Sequence, residues 1–290
     1  MYYGIVSAAV VMFGLQFFFN QKYESETGNG KKASMWFILL SNTVGLVILL
    51  AMNKFRLEFT PFTLICSLFA SVNMLLYNIC SMKALGRINL SLYSLFSMLG
   101  GMALPFCAGI FFFDEKFTVG KIICLLTVVA ALLLNVKKEE SKGGFIYYAG
   151  IFIFNGMSGV ISKFFQALPY EKTSETSYSV WSALLTVVFA SAAILFMYKD
   201  KTKPNLKALL WSSGYGVLNK IGNLLLLISL VHLPASVQYP MITGGVMIVS
   251  TLLSFFTPKK PGKREIVSVI LSFAGIMALI FFDKVITCTN

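Results

Sequence analysis

Residues 209–232, LLWSSGYGVLNKIGNLLLLISLVH, set a lysine, Lys220, near the middle of an apolar run. Lys220 is about 11 to 14 residues from either end, which at 1.5 Å per helical residue leaves it roughly 15 Å or more from each end. A side chain that deep cannot reach water by snorkelling. At the centre of a membrane helix a charge costs about 2.5–3.5 kcal/mol, so it must face protein or a wet cavity. Tyr215, Asn219 and Asn223 recur every four residues on one helical stripe, with Gly216, Lys220 and Asn223 on the adjoining one. A cation framed by amides and a phenol can hold an anionic group. No Asp or Glu falls inside any apolar run, so no carboxylate partner is expected. Lys220 is then held neutral by burial, matched by an anion on a ligand, or bonded to carbonyls and amides between helices.

Other polar residues inside apolar runs extend this candidate binding set. They are Asn73 with Tyr77 one turn later, Tyr93 with Ser91 and Ser97, Gln238 and Tyr239 with Thr243, and Gln16, Asn42, Asn155, Ser158 and Trp181. Each also serves as hydrogen-bonding glue between helices. Pro240 excludes the helical bond to the Ser236 carbonyl and frees an acceptor. Lys163 sits near the end of its run, where snorkelling is cheap, and reads as structural. Catalysis finds little foothold. Gly156-Met157-Ser158-Gly159 spells GxSG, and with His232 as base it makes an intramembrane serine protease the remote alternative, although His232 falls in a connection. HExxH, GxGxxG, GxxxxGK[ST] and GxSxG are absent, so a non-enzyme without cofactor or metal is expected. The five cysteines form no CxxC pair and read as small core residues.

These residues must be positioned by membrane helices. The chain is 57% hydrophobic and 12% charged, with a mean hydropathy of +0.78, far from a soluble domain. Apolar runs broken by charge, Pro and Gly predict ten transmembrane helices at about 2–20, 34–52, 62–82, 90–113, 118–136, 145–165, 177–198, 206–231, 235–256 and 264–282. The first lacks a basic segment ahead of it and reads as a retained span. VKKEESKGG, 136–144, divides the chain into halves 1–140 and 141–290, five spans each. Shifted by about 146 residues, Phe18, Phe19 and Asn20 fall on Phe164, Phe165 and Gln166; shifted by about 150, Asn73 falls on Asn223. An odd number of spans per half requires opposite orientation, so the fold class is an all-α integral membrane protein of two inverted five-helix repeats, the architecture of alternating access. The net charge of +12 is spread in short clusters between spans, which suits a lipid bilayer and not nucleic acid. Connections after odd-numbered spans hold 16 of the 24 Lys and Arg, which by the positive-inside rule places both termini outside the cytoplasm.

Three stretches resemble the ten-helix EamA-type branch of the drug/metabolite transporter superfamily. SLYSLFSMLGGMALPFCAGIFFFDEKFTVGKIICLLTVVAALLL, 91–134, is similar to that family's fourth helix, acidic turn at Asp114 and Glu115, and fifth helix. ASVQYPMITGGVMIVSTLLSFFTPKKPGKREIVSVILSFAGIMAL, 235–279, carries Pro240 at the usual place in the ninth, but Lys259 and Lys260 replace the usual Glu. FNGMSGVISKFF, 154–165, is similar to a sixth helix ending in a basic residue. The resemblance implies a bundle around a central cavity, with the fifth and tenth helices peripheral. It also implies a secondary transporter of a small metabolite such as an amino acid, sugar or phosphorylated anion. A multidrug or lipid exporter on the same fold is the alternative, and relatives often have both termini inside. The implied setting is the plasma or inner membrane, as a monomer or homodimer.

Overall fold

The structure, a computed structural model, describes residues 2–28, 31–85, 90–115, 118–134, 145–197, 205–254 and 262–288. Among these it is all-helical, with ten α-helices: α1 Tyr2–Thr27, α2 Lys31–Met52, α3 Pro61–Leu85, α4 Leu90–Phe113, α5 Val119–Leu134, α6 Phe145–Ala167, α7 Glu175–Met197, α8 Leu206–Leu230, α9 Ala235–Ser254 and α10 Lys263–Cys288. Each overlaps a predicted span. The linker at 136–144 and the pair Lys259 and Lys260 lie outside the described residues. α1 outlasts its apolar run because its polar end finds its own bonds: the Tyr23 hydroxyl donates to the Ala33 carbonyl at 2.7 Å and Thr27 to the Tyr23 carbonyl at 2.9 Å. Among the described residues, four stretches are long and apolar enough to cross a membrane: Tyr2–Asn20, Met35–Met52, Glu175–Phe196 and Ala235–Leu253.

Helices of the two halves interleave. α8 lies between α1 and α2, α6 lies against α3 and α4, α7 touches α2 and α3, and α9 touches α1 and α4, while α5 pairs with α10. Small residues set the closest crossings. A Cβ on Gly100 of α4 would collide with the Phe152 carbonyl of α6, and one on Gly216 of α8 with the Ser41 carbonyl of α2. Backbone cannot retreat as a side chain can, so Gly100→Ala forces the two helices apart. Overpacking of this kind costs about 1–3 kcal/mol or more. The expected result is a melting temperature in detergent lower by several degrees, whereas Gly4→Ala, which meets nothing, leaves it unchanged.

The largest core cluster unites α1, α4, α5, α8, α9 and α10 around Val6, Met102, Cys124, Val237 and Leu279. A smaller one, Cys66, Phe165, Tyr178 and Leu227, joins α3, α6, α7 and α8 near one end of the bundle. At this end, the Tyr2 end, the Tyr2 ring stacks on His232 of the α8–α9 connection at 3.9 Å.

Candidate functional site

Lys220 is half-buried in the middle of α8, its stem lying over Gly45 of α2 where the Gly216 crossing brings the two helices together. Among the described residues no hydrogen bond or ion pair engages its ammonium. On the neighbouring stripe, Asn219 Nδ2 donates to Gln16 Oε1 of α1 at 3.0 Å. Asn223 is exposed and turns its amide back to the Asn219 carbonyl at 2.7 Å. One turn toward the other end, Tyr215 meets Phe37 of α2 at 4.6 Å between ring centroids, and its phenol is within electrostatic reach of Tyr77 on α3. Tyr77 in turn shares a hydrogen bond with Ser97 of α4 at 3.1 Å. α1, α3 and α8 thus bring Gln16, Tyr77, Tyr215, Asn219, Lys220 and Asn223 into one neighbourhood. A cation without a protein anion, edged by amides and phenols, can receive a carboxylate or phosphate.

Three other predicted site residues join helices instead. Asn73 is buried and donates to the Phe154 carbonyl of α6 at 2.8 Å. Its repeat counterpart Asn223 is exposed, so the two do not play matching parts. Gln238, fully buried, donates to the Leu226 carbonyl at 2.7 Å. Tyr239, also buried, donates to the Gly159 carbonyl at 3.0 Å. Asn155 similarly donates to the Ser97 carbonyl at 2.6 Å. Trp181 bonds the Glu58 carbonyl at 2.9 Å. The Tyr93 and Ser91 side chains lie outside the described residues.

Lys163 departs from expectation. It does not snorkel; it is buried and forms an ion pair with Glu115 at 2.8 Å. Asp114, at φ 49°, reverses the chain after α4 so that the Glu115 N–H reaches back to the Gly109 carbonyl at 3.1 Å. The carboxylate then accepts the Ala235 and Ser236 N–H groups at 2.8 and 2.9 Å, together with the Ser236 hydroxyl, capping α9 from a different connection. Glu58 does the same for α7, accepting the Ser174 N–H at 2.9 Å and the Ser177 hydroxyl at 3.2 Å. Spacing along the chain carries no sign of the Lys163–Glu115 pair, because 48 residues separate its members. The Ser174–Ser177 cap, by contrast, is a local signal within reach of sequence reasoning.

Burial opposes ionisation of Glu115, but Lys163 and Ser236 outweigh it and hold the carboxyl below its ordinary value; at Glu58 the Ser174 N–H does so. Carboxyls depressed on folding contribute stability that is present above the unfolded value and lost as pH falls through the folded one. The melting temperature is therefore expected to fall as pH drops below about 4.5, the ordinary carboxyl value. Glu115→Gln should show a shallower fall, read from melting curves at stepped pH.

No family model and no curated protein matches this sequence. Among solved structures, the chain is similar to one described only as "Crystal structure of protein", at 12% identity over 97% of each chain, with a TM-score of 0.78. At that identity the likeness concerns the fold.

Proposed function

We propose that this chain is an integral membrane carrier of ten spans that moves a small anionic metabolite by alternating access, with Lys220 receiving the anion. The observation that carries the reading is the half-buried Lys220 ammonium in mid-α8, with no protein anion bonded to it among the described residues. The inverted-repeat reading draws support from helix neighbours. If each helix is exchanged for the one five places on, α1 against α8 becomes α6 against α3, α1 against α9 becomes α6 against α4, and α2 against α8 becomes α7 against α3, all of which occur. Four candidate spans among the described residues and the apolar composition support the bilayer setting; the plasma or inner membrane is the setting proposed. The protease alternative gains no support: Ser158 donates to the Asn155 carbonyl at 2.8 Å, and His232 is occupied with Tyr2.

The test is a melting-temperature screen of purified protein against amino acids, sugar phosphates, nucleotides and cationic drugs, since a ligand bound by the folded state raises its apparent stability. Stabilisation by anionic compounds, lost in Lys220→Ala, is expected. Stabilisation by neutral or cationic compounds alone, indifferent to that substitution, would replace this reading with a drug or lipid exporter.

A further inference from the structure

Packing accounts for the two glycines of the Gly156-Met157-Ser158-Gly159 stretch in α6 but not for its serine. A Cβ on Gly156 would collide with the Gly100 carbonyl of α4, and one on Gly159 with Pro105 of α4 and Tyr239 of α9. The glycine face is thus held against those helices, which turns Ser158 elsewhere. At about 100° per helical residue, Ser158 falls within about 20° of Ile151 and Phe165, both buried, and about 140° from Ile153, which is exposed. Ser158 therefore points into the bundle and not to lipid, yet it is exposed. Asn223 of α8 repeats the pattern. It falls within about 40° of Gly216, Leu227 and Leu230, all buried, and about 140° from the exposed Leu210, yet is itself exposed. A polar side chain exposed on an inward face borders open space inside the bundle.

The register of the two helices brings these side chains together. Gln166 Nε2 donates to the Leu227 carbonyl at 3.2 Å, tying α6 to α8 where both helices end. Ser158 lies two turns back from Gln166 on α6, level with Asn219 and Lys220 two turns back from Leu227 on α8, and Asn223 lies between. Their donors are spent alike. The Ser158 hydroxyl donates to the Asn155 carbonyl at 2.8 Å and Asn223 Nδ2 to the Asn219 carbonyl at 2.7 Å, each within its own helix. Among the described residues no group donates to Ser158 Oγ or Asn223 Oδ1. Both oxygens are left as acceptors.

We propose that Ser158 is a specificity-determining residue of the Lys220 site, and that the substrate is a hydroxylated anion whose carboxylate or phosphate meets Lys220 while its hydroxyls donate to Ser158 and Asn223. The inference rests on the carrier reading. An anion with an alkyl body would cover both acceptors and leave them unpaired, which disfavours it, whereas a hydroxylated body satisfies them. Lys220 on α8 selects the charge, and Ser158 on α6 selects the body that carries it.

Matched anions separate the charge from the hydroxyls. Gluconate against hexanoate, and glycerol phosphate against propyl phosphate, are titrated into the purified protein with the melting temperature as the readout. The parent should be stabilised by the hydroxylated member of a pair at a concentration about tenfold lower than its alkyl partner requires. Ser158→Ala, which gives up only a bond to a carbonyl of its own helix, should melt with the parent when empty. It should need about three- to tenfold more of the hydroxylated anion, the equivalent of one hydrogen bond, with the response to the alkyl anion unchanged. Equal stabilisation by both members of each pair, or a preference that Ser158→Ala leaves intact, overturns the role of Ser158 while the Lys220 site stands. A preference for norleucine over gluconate, an ammonium in place of hydroxyls, overturns the hydroxylated class in the same way. Stabilisation by no anion at all overturns the carrier reading with it.

Discussion

Replacing Lys220 with alanine is expected to lower uptake of an anionic substrate about ten- to a hundredfold while leaving the empty protein at least as stable. The rate effect follows from the loss of charge-assisted bonds to the anion, each about 1.5–3 kcal/mol. The stability effect has the opposite character. No protein anion bonds Lys220 among the described residues, so its removal strands no partner and relieves the cost of holding a cation in mid-helix. Against that gain stands the packing of the aliphatic stem over Gly45, which alanine gives up. Lys220→Arg separates charge from shape, because the planar guanidinium is larger and presents its donors as a fork. It should retain part of the uptake and raise the substrate concentration needed for half-maximal rate. Initial rates in proteoliposomes and melting curves on the same preparations check both halves. Unchanged uptake by Lys220→Ala would remove the lysine from the site.

Glu115→Ala should act in the reverse sense, damaging the fold first. It leaves Lys163 buried without its counter-charge, a loss of about 3–5 kcal/mol in comparable buried pairs, and uncaps α9 for about 1 kcal/mol more. For a chain of this size each kcal/mol corresponds to about 2–4 °C, so the melting temperature should fall by about 10 °C or more. The double variant Glu115→Ala with Lys163→Met should recover most of the ion-pair share and none of the cap, which a double-mutant cycle reads directly. A fall of only a degree or two in Glu115→Ala would mean that Lys163 finds water or another acceptor.

The apolar runs made the helices legible by their length and by the charge, Pro and Gly that bound them. The observed α4 begins and ends where its run does, at Leu90 and Phe113. Lys220 was legible for the same reason, as a charge where charge is expensive. The partners of other polar residues were not. Asn73, Gln238 and Tyr239 look like site residues in sequence, yet each donates to a carbonyl of another helix, α6, α8 and α6 in turn, which spacing along the chain does not reveal. Lys163 looks like a snorkelling residue because its position along α6 is visible in the sequence, while the folding back of Glu115 after Asp114 is not.

Counterflow in proteoliposomes tests the central claim most directly, using the anionic compound that most stabilises the purified protein. Vesicles preloaded with that anion and diluted into a trace of its labelled form should show transient accumulation with the parent and none with Lys220→Ala. Absence of counterflow by the parent with any stabilising anion, or equal counterflow by both proteins, would contradict a carrier built around Lys220.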